Sequence, residues 1–140
     1  MIQLKHLAFA VITFAVTAIM TTTNEARAQS LNDLTQGLND MVTDIKNDGD
    51  VLKAEIASTD LNGTGKVQDL ITKVYYFEGQ VSAMGGGTWA YLHDVQDALI
   101  DKIKETGQAG FTVPEQAAID SFATNAEQSK LEHPSTNVFG

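Results

Sequence analysis

Between Leu31 and Leu131, apolar residues recur every three or four positions in four runs, separated by glycine, proline or polar turns. Successive residues step about 100° round an α-helix, so this spacing gathers each run onto one helical face. The first run is Leu31, Leu34, Leu38, Met41, Ile45, Leu52 and Ile56; the second is Val67, Leu70, Val74, Phe77, Val81 and Met84. The third is Trp89, Leu92, Val95, Leu99 and Ile103. The fourth, richer in alanine, is Ala118, Ile119, Phe122, Ala126 and Leu131. No stretch alternates as a strand would. Cysteine is absent, so a core and not disulfides must hold the chain together. The expected fold is all-α: a small antiparallel up-down-up-down four-helix bundle with short connections.

Local signals set the expected ends. Ser30-Leu31-Asn32-Asp33 has the form of a capping box, and Thr112-Val113-Pro114-Glu115 is a second one with proline in the first turn. Thr88 follows Gly85-Gly86-Gly87 and is placed to cap the third helix. Within the first run, Asn47-Asp48-Gly49-Asp50 looks like a loop, yet the apolar phase survives it. One long helix is therefore expected, weakened at Gly49 by about 1 kcal/mol relative to alanine. At about 28 residues it would span ~42 Å against ~27 Å for the second helix, so it must either bend at Gly49 or project.

Ahead of these runs stands a segment of a different kind. Lys5 and His6 precede an apolar stretch from Leu7 to Met20, and Ala26-Arg27-Ala28 forms an A-x-A cleavage site. The stretch is about 14 residues long, short of the ~20 needed to span a membrane. Residues 1–28 are read as a cleaved secretory signal peptide, 29–132 as the helical bundle domain and 133–140 as a flexible C-terminal tail. An exported protein, periplasmic or extracellular, is expected, with no stable membrane insertion once mature.

Charge narrows the partners. The chain has 9 lysines and arginines against 18 acidic residues, a formal charge of −9. Cleavage would remove Arg27, the only arginine, and leave lysine as the sole basic residue type. A chain so acidic is a poor ligand for nucleic acid, whose binding rests on neutralised phosphates. It suits an unknown protein or a cationic partner.

Asp60-Leu61-Asn62-Gly63-Thr64-Gly65-Lys66-Val67-Gln68 resembles the front half of an EF-hand calcium loop. The resemblance places Asp60, Asn62 and Thr64 at ligand positions 1, 3 and 5 and Gly65 at the tight turn. Lys66 offers a carbonyl at position 7, and Gln68 a water-bridged contact at 9. Position 12 is Ile71 where a bidentate glutamate belongs, so any Ca²⁺ affinity should be millimolar. The same polar residues would serve equally as a turn in which Asn62 and Thr64 cap the second helix. Asn62-Gly63-Thr64 is also a glycosylation sequon. A second frame, Asp44 to Glu55, is spoiled by Lys46 and Leu52.

On the third helix His93, Asp97 and Asp101 stand four residues apart, as a metal site or as a solvated acidic face. Tyr76 and Tyr91 lie off the apolar stripes and are candidates for an exposed interaction surface near the glycine turn. Cysteine nucleophiles, G-x-S-x-G, HExxH and phosphate loops are all missing from the sequence. The expected role is binding or interaction without catalysis. Weak calcium or divalent-cation binding at 60–71 and self-assembly through the heptad-like stripes are the alternatives. No other cofactor is expected, and the sequence leaves the oligomeric state open.

Overall fold

The computed structural model describes residues 24–134, which are all-helical. Most of the expected signal segment, residues 1–23, and tail residues 135–140 lie outside the described residues. Four helices follow one another: α1 (Asn24–Ser58), α2 (Lys66–Met84), α3 (Trp89–Thr106) and α4 (Val113–Glu132). Single 3-10 turns, Gly86–Thr88 and Gln108–Gly110, join the last three. The chain divides into two compact units between Asp44 and Ile45, a point inside α1.

In the first unit, α1 already runs helically from Asn24, so Ser30 lies inside the helix and does not cap it. The Asp33 carboxylate accepts from the Gln29 side chain instead of closing a capping box. Leu31 is 51 % and Leu38 41 % exposed, and Leu34 is half-buried. Of the first run, then, Leu31 and Leu38 are exposed whereas Met41 is buried. Helical periodicity marks a face as apolar but does not say what covers it.

In the second unit α1 passes through Asn47-Asp48-Gly49-Asp50 without interruption, which also removes the Asp44–Glu55 loop frame. Gly49 is a packing glycine. A Cβ built on it would stand 3.0 Å from Phe77 Cζ and 3.7 Å from Val95 Cγ2. The missing side chain lets α2 and α3 approach α1 at that level. Ile45, Leu52 and Ile56 of α1 join Val67, Leu70, Val74, Phe77 and Val81 of α2 in one core. Leu92, Val95 and Leu99 of α3 and Ile119 and Phe122 of α4 complete it. Each such side chain, fully buried, contributes about 1.5–3 kcal/mol. Leu131, expected in the fourth stripe, is 79 % exposed.

The two later caps differ. At Thr112 the box forms as the sequence predicts: the Glu115 N–H donates to Thr112 Oγ1, and the Thr112 N–H donates to Glu115 Oε1 at 2.9 Å. Thr88 makes no cap for α3. Its hydroxyl donates to the Gly85 carbonyl at 2.6 Å, tying the glycine turn back to the end of α2. Asn62 and Thr64 do not cap α2 either. Its N-cap is Gly65, at φ +75°, a left-handed conformation that glycine adopts without strain.

Candidate functional site

Two regions of the second unit concentrate polar chemistry, one at each end of α2. The first is the Asp60 loop. Asp60, Asn62 and Thr64 are exposed, and Lys66 and Gln68 fall in the first turn of α2. Asp60 Oδ1 accepts from the Asn62 N–H at 3.0 Å, forming an Asx turn. Ile71, at the twelfth loop position, is core and not a ligand. The loop gains a carboxylate from elsewhere: Glu115 Oε2 accepts from the Gly65 N–H at 3.2 Å. Glu115 is buried, and its bonds with Thr112, then that with Gly65, hold its carboxyl below the ordinary value. One side chain thus closes the α4 cap and satisfies the first amide of α2. The sequence shows the capping box, but nothing in it signals the second bond across fifty residues. Among the described residues, no group of three or more His, Cys, Asp or Glu could hold a metal ion.

That finding also bears on His93. It does not share a solvated face with Asp97 and Asp101. It is buried, 6 % exposed, while Asp97 pairs with Lys130 on the surface. His93 Nε2 lies 2.6 Å from the His133 carbonyl and Nδ1 lies 3.3 Å from Gln96 Oε1. A carbonyl only accepts, so His93 Nε2 carries a proton and donates it. An unprotonated Nδ1 needs a donor. The Gln96 amide nitrogen is buried without a partner, and rotating that amide by half a turn supplies the bond. His133 in turn lies flat on Trp89, with ring centres 3.6 Å apart and planes 2° apart. His133, expected to begin a loose tail, is therefore held by two contacts.

This latch borders the second region, a cleft of about 450 Å³ whose walls include Tyr75, Glu78, Trp89, Ser129 and His133. Glu78 accepts from the Asn125 amide through both carboxylate oxygens, at 3.1 and 3.3 Å. Tyr75 meets Phe122 edge-on, with ring centres 6.0 Å apart. Burial first, and the charge of Glu78 second, raise the Tyr75 phenol above its ordinary value. Of the tyrosines singled out from the sequence, Tyr76 is 63 % exposed on α2 while Tyr91 is half-buried against the core. The neighbouring Tyr75 is the one that lines the cleft. Comparison with protein-family models, curated proteins and solved structures finds no match to this chain.

Proposed function

We propose that this is an exported, non-catalytic protein that works by binding a partner, and that the partner docks on the first half of α1. The observation that carries this reading is the exposure of Leu31 and Leu38 on a continuous helix. With half-buried Leu34 between them they form a three-four seam that ends at Met41, which is itself buried, and the positions beside it (Ser30, Thr35, Gly37 and Val42) are small or uncharged. Such a seam suits another helix, because apolar knobs can enter holes without crowding or charge repulsion. The acid excess favours a protein partner over nucleic acid. The short connections support an antiparallel up-down-up-down order for the bundle. Export rests on the A-x-A signal pattern; among the described residues, no helix is long and apolar enough to cross a membrane.

Affinity capture from the cells that make the protein, with the wild type and a Leu31→Asp/Leu38→Asp variant, tests the reading. Both positions are exposed, so the substitutions should change stability by no more than about 0.5 kcal/mol each. A protein retained by the wild type and lost with the variant supports it. Retention that ignores both leucines refutes it. If the retained protein is a second copy, sedimentation will show a concentration-dependent dimer that the variant lacks, which is the self-assembly alternative.

A second reading, weak Ca²⁺ binding at the Asp60 loop, draws on Asp60, Asn62, Thr64 and the Lys66 and Gln68 positions. With one formal charge among those ligands, the site would need millimolar calcium. A calcium-dependent rise in melting temperature that Asp60→Ala abolishes supports it, and no shift at several millimolar removes it.

A further inference from the structure

The cleft between the end of α2 and the end of α4 has a chemistry that neither the leucine seam nor the Asp60 loop uses. We propose that it binds the ammonium group of an aliphatic amine, with Glu78 as counter-ion, Ser129 as hydrogen-bond acceptor, and Tyr75 and Trp89 against the alkyl chain.

Its charge is one-sided. Glu78 and Glu132 line it, and no lysine or arginine does. The Tyr75 phenol on the same wall is raised by burial first and by the Glu78 charge second. Acidic side chains alone would only make a solvated surface, but Ser129 adds an independent sign. It is 6 % exposed, lines the cleft, and its hydroxyl oxygen has no hydrogen-bond partner. A buried hydroxyl left unpaired costs free energy that a donor entering the cleft would recover. An ammonium group carries three donors and no acceptor, which matches two carboxylates and an unpaired hydroxyl. The aromatic walls suit the rest of the ligand, since methylenes next to a cationic centre sit favourably against tyrosine and tryptophan rings. Gly79, on the same wall, leaves the floor open: a Cβ there would meet nothing within 4 Å. The volume, about 450 Å³, falls within the range of small-molecule sites.

Two sources share this chemistry, a free diamine and a lysine side chain on a partner protein. The chain has a single tryptophan, and it stands in the cleft, so its fluorescence reads occupancy directly. The full chain is titrated with cadaverine, with Nα-acetyl-lysine methylamide and, as neutral control, with 1-pentanol. The expected result is a saturable change in Trp89 emission with an amine, half-complete at or below about 1 mM, and none with pentanol. A stronger response to cadaverine indicates a free diamine, and a stronger response to the lysine amide indicates a partner's side chain. Glu78→Gln keeps an amide–amide bond to Asn125 and should weaken binding about tenfold, the loss expected for one charge-assisted hydrogen bond. Glu132→Gln, with the carboxylate at the other side of the cleft, should weaken it about threefold and serves if Glu78→Gln melts early. No saturable response to either amine overturns the proposal, as does a response that both glutamine variants leave intact. Neither outcome touches the leucine seam of α1, whose test uses a different surface and a different readout.

Discussion

Replacing Gly49 and Gly79 by alanine in turn separates helix propensity from packing, because both glycines lie inside helices and only one has a neighbour. Alanine in a helix interior is better than glycine by about 0.5–1 kcal/mol, chiefly through backbone entropy. At Gly79 the added methyl meets nothing within 4 Å, so the full gain should be seen. At Gly49 the methyl would stand 3.0 Å from Phe77 Cζ and 3.5 Å from Cε2, inside carbon–carbon contact distance. Phe77 is 3 % exposed, and Val95, 3.7 Å from the same methyl, is fully buried, so the ring has little room to retreat. Overpacking of this kind costs about 1–3 kcal/mol. Subtracting the propensity gain leaves Gly49→Ala destabilised by up to roughly 2.5 kcal/mol. In thermal melts of a domain this size the two variants should separate, Gly79→Ala rising by about 2–4 °C and Gly49→Ala falling by up to about 10 °C. A Gly49→Ala variant as stable as Gly79→Ala would mean that α1 and Phe77 are not in contact, and the account of the long helix would fall. Gly49→Ala combined with Phe77→Leu gives a finer check, since the shorter side chain should remove part of the clash and make the pair less than additive.

Three further outcomes follow from the polar contacts. The Glu115 carboxyl is held below its ordinary value of 4.5, so the unfolded chain binds its proton more readily than the folded one. The stability it confers is complete above that value and is lost as pH falls through the folded one, so the difference between wild type and Glu115→Gln in acid unfolding should shrink towards zero at low pH. The Tyr75 phenol is raised above 10.0, so its contribution is present below that pH and lost as pH rises further; ultraviolet titration should show one late tyrosine, moved earlier in Glu78→Gln. His133→Ala removes only the ring stacked on Trp89 and should cost about 1 kcal/mol. His93→Ala also strands the His133 carbonyl, and chemical denaturation should report a loss of about 2–4 kcal/mol.

The α2 stripe and the Thr112 capping box were legible in the sequence because each is decided locally, by side-chain spacing in one case and by a four-residue hydrogen-bond pattern in the other. The misreadings share a different origin. Leu31 and Leu38 look like core because a stripe carries no record of its partner, and the structure leaves them open. His93 falls on the polar face when the single stripe Trp89, Leu92, Val95, Leu99 and Ile103 stands for the whole buried arc of α3. That helix contacts both α2 and α4, and so buries Leu92, His93, Val95, Gln96 and Leu99 together. A helix between two neighbours needs a wider apolar or internally bonded face than one lying against a single neighbour. Thr88 failed as a cap for a related reason: the left-handed Gly85 and Gly86 bring the end of α2 within reach of its hydroxyl. The cleft around Trp89 was invisible because its residues come from positions 75 to 133 and share no motif.

The bond from Gly65 to Glu115 has a consequence for the order in which the molecule is completed. The first amide of α2 is satisfied by a carboxylate that enters the chain fifty residues later, on the last helix. Until that helix docks, the turn keeps its Asx bond, the bonds from the Gly63 N–H to the Asp60 carbonyl and from the Lys66 N–H to the Gly63 carbonyl, and buried Leu61, but the Gly65 amide lacks its acceptor. The Gly65 amide should therefore be protected from hydrogen exchange only while α4 is docked. The turn that most resembles a ligand site is thus also the place where the start of α2 is tied to the last helix.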